Sequence, residues 1–285
     1  MSAPTGKPRG FKPRKDQSRH APHRGQGQGG AKTGPRFDPA PDDRFFMFGI
    51  HAVAAALDNP QRHIKRMLAT ENAENRLAEA IAARALSVER VRPKDLDRLL
   101  GPDTVHQGIA IETEVLTEPE LNQLVARASA PDGGPLVVLD QVTDPHNVGA
   151  VLRSAAVFGA AGLITTRRHS PPLNGTLAKS ASGALELIPV ALVQNLSRTL
   201  DELKDAGVTV IGLDGEGETL LEDAPLSGAV AFVLGAEGKG LRQLTKETCT
   251  SICRIGTSQT LASLNVSNAA AIALHLSSMR RRAGR

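Results

Sequence analysis

The second half of the chain alternates short, continuous apolar runs with longer amphipathic segments. A run that is apolar at every position is typical of a strand buried on both faces. The pattern predicts strands over residues 136–139 and 162–165 with a helix over 148–158 between them, further segments over 176–185, 188–193, 196–206, 208–212, 229–234, 241–248 and 252–255, and a final helix ending near residue 281. This alternation predicts an α/β fold with a parallel sheet covered by helices on both faces.

Ligands of such a sheet bind beyond the carboxyl ends of its strands, so the chemistry is expected in the loops there. Those loops follow Leu139, Leu213, Leu234 and Ile255.

The first half of the chain has a weaker pattern of the same kind. It predicts helices over residues 50–57, 76–86 and 96–100 and strands over 64–69, 87–91 and 108–111. A helix over 118–130 then leads to the breaker cluster at 131–135. We therefore expect a small α/β domain over 45–116, a linker over 117–134 and a second domain over 135–285.

Residues 1–44 are rich in Gly, Pro, Lys and Arg and contain almost no aliphatic residues, which predicts a disordered tail. Residues 1–37 hold nine basic residues against the single acid Asp16, and the other 248 residues hold 25 basic and 29 acidic ones. The formal net charge of +4 thus divides into +8 for the tail and −4 for the rest. Two interpretations stay open, an arm that binds RNA phosphates without sequence preference and a solubilising extension.

The composition narrows the class of protein further. The chain has seven Phe and neither Trp nor Tyr, so rows of stacked aromatic rings cannot be its main way to hold RNA. No stretch approaches the roughly 18 apolar residues of a membrane span, and the N-terminus lacks the apolar region of a signal peptide, so we expect a cytoplasmic protein. Cys249 and Cys253 lack the spacing of a zinc site and are expected to be buried thiols, with no metal bound.

The first candidate motif follows the strand at 136–139 and reads LDQVTDPHNVGAVLRSAAVFGA. Asp144 and Pro145 predict a turn, Asn147 is expected to cap the next helix, and Gly149 allows another backbone or a ligand to come close. Arg153 lies six residues after Asn147, about 1.7 turns along the helix, and is expected near its face. An arginine there needs an anion, although a structurally paired or snorkelling arginine is the alternative.

The second and third motifs are FVLGAEGKGL, residues 232–241, and ASLNVSNAAAIALHL, residues 262–276. Glycines at 235, 238 and 240 suit close backbone approach to a ligand, with Glu237 among them as a hydrogen-bond acceptor. The sequence is neither GxGxxG nor GxxxxGK[ST], which is evidence against dinucleotide and triphosphate sites. In the third motif Ser263, Asn265, Ser267 and Asn268 crowd polar groups at a helix start, where simple capping is the alternative.

Together and in this order, the three motifs resemble those of the SpoU, or TrmH, family of SPOUT RNA 2′-O-ribose methyltransferases. FGIHAV at 48–53 and VHQGIA at 105–110 are similar to the substrate-binding domain of its RlmB-like subgroup, which modifies a guanosine in large-subunit ribosomal RNA. The resemblance covers residues 45–285. One departure is TSQTL at 257–261, where the family usually has a glycine near Gln259 and a valine near Leu261.

The resemblance implies a parallel-sheet SPOUT domain tied in a C-terminal trefoil knot, a small L30e-like RNA-binding domain before it, and a homodimer that completes the active site. It implies S-adenosyl-L-methionine as the cofactor and RNA, most of all rRNA, as the partner. The implied cofactor-binding residues are Gly212, Leu234, Gly235, Gly238, Ile255 and Leu264. The implied catalytic residues are Asn147, Arg153, Glu237, Ser263 and Asn265.

Methyl transfer needs the 2′-oxygen aligned with the methyl carbon and sulfur, and it needs help with the hydroxyl proton. Because a guanidinium stays protonated in proteins, Arg153 is expected to bind the target's phosphate and orient the hydroxyl. Action of Arg153 as a base stays open. So do three other functions: a tRNA substrate, a non-catalytic RNA-binding or ribosome-assembly protein on the same fold, and a nucleotide-dependent enzyme that uses the Gly235 loop as a phosphate cradle.

Overall fold

A computed structural model of the chain describes residues 44–258 and 264–283. The first part of it forms a four-stranded sheet in the order β1-β4-β2-β3. Strands β1 and β2 pair antiparallel with β4, and β2 pairs parallel with β3. The elements are β1 (Arg44–Phe48), α1 (Ile50–Asp58), β2 (Ile64–Ala69), α2 (Glu71–Arg76), α3 (Ala78–Ala83), β3 (Glu89–Arg90), α4 (Pro93–Leu100) and β4 (Ile109–Glu114).

Two elements of this part of the chain differ from the prediction. Strand β1 was not predicted, and it begins at Arg44, the last residue of the predicted tail. The helix expected over 76–86 is two shorter helices, α2 and α3, which meet at Leu77. Thr70 starts α2 early because its side chain accepts a hydrogen bond from the Ala73 N–H, a typical N-cap.

The second sheet has seven strands in the order β7-β6-β5-β10-β8-β11-β9, and every pair in it is parallel, as predicted. Helix α5 (Leu121–Ser129) leads into it. Its elements are β5 (Leu136–Asp140), α6 (Pro145–Phe158), β6 (Gly162–Thr166), α7 (Gly175–Ala181), β7 (Val190–Val193), α8 (Leu196–Asp205), β8 (Thr209–Leu213), β9 (Thr219–Leu220), β10 (Val230–Gly235), α9 (Gln243–Thr248), β11 (Ser251–Arg254) and α10 (Val266–Ala283), with 3₁₀ turns at Ala184–Glu186 and Leu221–Asp223.

The strands at the centre of this sheet are buried on both faces. In β5, Val137 and Leu139 belong to one apolar cluster and Leu136 and Val138 to another on the opposite face. Because both faces are buried, the apolar runs are continuous rather than alternating. Burial of each side chain of this size stabilises the fold by about 1.5–3 kcal/mol. Strand β10 lies between β5 and β8, although β8 precedes it in the chain.

Helix α7 joins the two sheets. Gly175 at its start packs so closely on β1 that an added Cβ would lie 2.0 Å from the Phe46 carbonyl oxygen. Further along α7, Lys179 Nζ donates to Gln107 Oε1 at 2.6 Å, and the same oxygen accepts from Ile50 N at 3.1 Å. The first sheet therefore meets the second part of the chain through α7, at residues of both FGIHAV and VHQGIA.

A buried ion pair lies at the same junction. Arg62 Nη2 is 2.6 Å from Glu186 Oε1, and each side chain is only 1% exposed. Asn59 Nδ2 also donates to Glu186 Oε2 at 2.8 Å. Removal of one partner of such a buried pair strongly destabilises the folded protein, because the other charge is left buried without compensation.

Both cysteines are free thiols, with Cys253 buried and Cys249 half-buried. Burial raises the pKa of the Cys249 thiol to about 12. Within the two described ranges, no helix combines the length and the apolar character needed to span a bilayer.

Candidate active site

Helix α6 begins earlier than the sequence suggested. Asp144 caps it, with Oδ1 accepting from His146 N at 2.9 Å, and Pro145 occupies the first turn, where its missing N–H costs nothing. The prediction that Asn147 caps this helix was therefore wrong, since Asn147 lies within the first turn and its side chain is free for other contacts. Gly149 allows close packing as expected, because an added Cβ would lie 2.6 Å from Ser180 Cβ on α7.

Three of the predicted catalytic residues meet at the start of α10. Asn265 Nδ2 donates to Asn147 Oδ1 at 3.0 Å, and it also donates to Glu237 Oε1. On its other side Asn265 Oδ1 accepts from Ser267 N at 2.8 Å. A backbone N–H can only donate, so this last contact fixes which way the Asn265 amide faces.

Asn265 thus caps α10, and it also makes side-chain contacts beyond the helix. Its oxygen caps α10 through Ser267, and its amide group joins motif one to motif two. The Asn147 amide group finds no acceptor among the described residues, so it can donate to a bound molecule. Asn268 is exposed.

Arg153 does not join this cluster. Its side chain is exposed on α6, and no residue in the described part of the chain forms a hydrogen bond or ion pair with it. A spacing of six residues places Arg153 about 120° around the helix from Asn147. The expectation that the two side chains share one face of the helix was therefore wrong. The alternative of a structurally paired arginine gains no support from the described contacts.

A pocket of about 420 Å³ opens beside the cluster, at the carboxyl edge of the second sheet. It is lined by the loop after β8, by the loop after β10 and by residues around the start of α10. Of the six predicted cofactor residues, five line it: Leu234, Gly235, Gly238, Ile255 and Leu264. Gly212 is buried in β8, where an added Cβ would meet the Ile252 side chain at 2.6 Å, and it does not reach the pocket.

The loop after β10 needs its glycines for a tight reversal. An added Cβ on Gly235 would lie 2.1 Å from the backbone of Gly240, which returns beside it. Gly238 and Gly240 have φ of 75° and 64°, values that favour glycine. Glu237 lies at the exposed tip of this loop and lines the pocket.

The pocket also has charged residues that the motifs did not indicate. Lys246 Nζ lies 2.8 Å from Asp214 Oδ2 and 3.4 Å from Glu216 Oε2. Burial opposes ionisation of Asp214, but its bond with Lys246 and two backbone N–H groups outweigh this and lower its pKa. The hydrogen bond to Asp214 raises the pKa of Lys246. The only signal for Asp214 in the sequence was its place directly after β8.

Ser263, the fifth predicted catalytic residue, lies outside the described residues. So do Gln259 and Leu261, the two positions at which the TSQTL stretch differs from the family pattern. Within residues 44–258 and 264–283, no cluster of three or more His, Cys, Asp or Glu side chains could hold a metal ion.

Two family sequence models match this chain. The SpoU rRNA Methylase family matches residues 134–275, and the model described as RNA 2′-O ribose methyltransferase substrate binding matches residues 46–119. The first match includes the residues of the three motifs that meet at the start of α10, and the second includes FGIHAV and VHQGIA.

Curated relatives match over most of their length. The 23S rRNA (guanosine-2′-O-)-methyltransferase RlmB of Vibrio parahaemolyticus is 38% identical over 237 residues, covering 80% of this chain and 94% of that protein. The enzyme of the same name from Shewanella oneidensis is 40% identical over 235 residues, with the same coverage.

Solved structures share the fold. The SpoU methyltransferase AviRb from Streptomyces viridochromogenes, in complex with AdoMet, has a TM-score of 0.71 at 22% identity, covering 85% of this chain and 92% of that one. A protein of the TrmH family from Porphyromonas gingivalis has a TM-score of 0.67 at 25% identity, covering 84% of this chain and 91% of that one.

Proposed function

Because this chain belongs to the SpoU rRNA methylase family, we propose that it transfers a methyl group from S-adenosyl-L-methionine to a guanosine ribose 2′-hydroxyl in 23S-type ribosomal RNA. The observation that carries the proposal is the hydrogen-bonded cluster of Asn147, Glu237 and Asn265 beside the glycine-lined pocket. It brings all three sequence motifs to one place.

The residues of the pocket fit this cofactor. A volume of about 420 Å³ lies within the range of small-molecule sites. Asp214, Glu216 and Glu237 supply carboxylates that suit the cofactor's positive groups, and the glycine loops present bare backbone N–H and C=O groups. When bound, S-adenosyl-L-methionine supplies an electrophilic methyl group on a sulfonium.

The chain's own residues would orient the ribose. We assign the free amide group of Asn147 and the carboxylate of Glu237 to positioning the target nucleotide, with Asn265 holding both in place. Arg153 would bind the phosphate next to the target and orient the 2′-hydroxyl, which its exposure and lack of a partner within residues 44–258 and 264–283 support. Ser263 remains assigned by resemblance, whereas Gly212 does not line the pocket and is assigned to the packing of β8.

The finer architecture is also part of the proposal. We propose the domain limits 45–116 and 135–285 with a linker between them, since each sheet draws its strands from one of these ranges, apart from Arg44 at the start of β1. An L30e-like first domain and a C-terminal trefoil knot are proposed from the family resemblance. Packing of α10 on both α6 and β10, with β10 inserted between β5 and β8, is consistent with such a knot.

We further propose a homodimer that acts in the cytoplasm, where ribosomal RNA is available. Ile272 and Met279 on α10 are 38% and 53% exposed, and Val157 on α6 is 74% exposed. Helices α6 and α10 pack together and carry the candidate site residues, so a second copy that covers these apolar side chains would lie near the active site. Light scattering at micromolar concentration should show a dimer, and a monomer would contradict the shared site.

Thermal shift tests the cofactor class. S-adenosylhomocysteine at about 100 times its Kd should stabilise the protein by about 2.7 kcal/mol, and ATP or NAD should not. Stabilisation by ATP or NAD alone would favour the nucleotide-dependent enzyme.

The substrate needs its own experiment. Mapping 2′-O-methyl sites in a strain lacking the gene should show one missing methylguanosine in 23S-type rRNA. A missing site in tRNA would show that tRNA is the substrate, and an unchanged map would favour a non-catalytic RNA-binding protein.

A further inference from the structure

Two carboxylates flank the strand that carries the glycine loop. Asp140 is the last residue of β5 and Asp214 directly follows β8, and these are the two strands between which β10 lies. Both carboxylates bind side chains from α9 or the residue before it. The glycine loop is therefore held at both of its ends, by β10 before it and by the contacts of α9 after it.

Asp140 is the more buried of the two, with a side chain that is 0% exposed. Its Oδ1 accepts from Arg242 Nε at 2.7 Å, and its Oδ2 accepts from Arg242 N at 3.2 Å and from Thr245 Oγ1 at 2.7 Å. Three donors from two residues fix the orientation of this carboxylate, which makes it a rigid anchor.

Asp140 does not line the pocket, but its partners Arg242 and Thr245 lie close in the chain to residues that do. The loop that lines the pocket runs to Gly240, two residues before Arg242, and Lys246 on the same short helix lines it again. Since Gly235 and Gly240 pass within van der Waals contact, a shift of α9 would move the whole reversal.

We propose that Asp140, acting through Arg242 and Thr245, is a positioning residue that holds the glycine loop in the shape that binds the cofactor. This inference rests on the proposed function, because it takes S-adenosyl-L-methionine to be the occupant of that pocket. It predicts that the anchor contributes to cofactor affinity rather than only to folding.

The test measures S-adenosylhomocysteine affinity by calorimetry together with the melting temperature. Asp140→Asn keeps the shape of the side chain but loses the charge, and it should raise Kd about tenfold or more, the effect of losing a charge-assisted hydrogen bond. Thr245→Val removes only the hydroxyl donor and should weaken binding in the same direction. Thr245→Ser keeps the hydroxyl and should restore affinity to near the wild-type value.

The matched control is Glu186→Gln, which also neutralises a buried carboxylate paired with an arginine, but at the junction of the sheets. It should lower the melting temperature and leave the Kd unchanged. If wild-type protein binds S-adenosylhomocysteine and Asp140→Asn and Thr245→Val bind it equally well, the inference is overturned. A wild-type protein that does not bind it would instead overturn the proposed function.

Discussion

At the scale of single residues, the candidate site combines a fixed part and a free part. Asn147, Glu237 and Asn265 hold one another through hydrogen bonds, whereas Arg153 is exposed without a partner in the described structure. A preorganised amide and carboxylate cluster suits orientation of a ribose, and a free guanidinium suits capture of a phosphate. The two parts are separable by mutation.

Arg153→Ala should lower single-turnover methyl transfer about a hundredfold or more, because a positioned charged group is lost. Affinity for S-adenosylhomocysteine and the melting temperature should barely change. Arg153→Lys keeps the charge but loses the planar fork, and it should restore little activity. A destabilised Ala variant with full activity per folded molecule would return Arg153 to a structural role.

Asp214 provides a prediction about pH. Its folded-state pKa lies below the ordinary value, so its contribution to stability is present above about pH 4 and is lost as the pH falls through the folded pKa. Urea unfolding of wild type and Asp214→Asn should differ at pH 7, and the difference should shrink at pH 3. A difference that is the same at both pH values would show that ionisation of Asp214 is not its source.

At the scale of elements, the start of α10 serves folding and chemistry with one side chain. Asn265 Oδ1 caps the helix through Ser267, while Nδ2 faces Asn147 and Glu237. A helix cap contributes about 1 kcal/mol, so loss of the whole side chain would confuse stability with activity. An informative substitution has to keep the oxygen and remove the amide.

Asn265→Asp meets this requirement. The carboxylate still accepts from Ser267 N, but it cannot donate to Asn147 and it repels Glu237. The melting temperature should stay close to that of wild type, while methyl transfer falls about a hundredfold. Ser267→Ala is the control, with the site contacts of Asn265 intact, and it should retain activity; full activity of Asn265→Asp would remove the amide from the mechanism.

The elements that the sequence predicted well are those whose pattern is local. Strands such as β5 are buried on both faces, so their apolar runs are visible without knowledge of their neighbours. The two-residue strand β9 was missed because only its pairing with β11 defines it. The helix over 76–86 was misjudged because a break at Leu77 leaves the apolar spacing intact.

The same distinction applies to the site. The three motifs indicated the residues that meet at α10, because each motif is a contiguous stretch. Asp140 contacts Arg242 across 102 residues of sequence, and nothing near either residue indicates the other. Anchors of this kind become visible only when the strand order is known.

At the scale of the whole molecule, α7 couples the two sheets. It contacts β1 of the first sheet and the helix α1 that follows it, and it packs against α6, which carries Asn147 and Arg153. Residues from FGIHAV and VHQGIA meet there at Lys179. The first sheet therefore has a defined position next to the helix of the candidate active site.

Lys179→Met should weaken this junction by about 1 kcal/mol, because Gln107 loses a charged hydrogen-bond donor. Burial lowers the pKa of Lys179 below its ordinary value. Small-angle scattering should show a larger radius of gyration, and proteolysis between residues 117 and 134 should be faster. The affinity for S-adenosylhomocysteine should stay unchanged. Lys204→Met, at a partly exposed pair with Asp201 away from this junction, is the control, and equal behaviour of the two variants would contradict the coupling.

The order of the strands in the second sheet also has a consequence for biosynthesis. Strand β8 pairs with β10 and β11, and both leave the ribosome after it. Until β10 has been made, β5 and β8 each present an open edge at the centre of the future sheet, where backbone N–H and C=O groups can recruit strands from other chains. A nascent chain that stalls before Val230 would therefore be prone to aggregate, although most of its strands are already present.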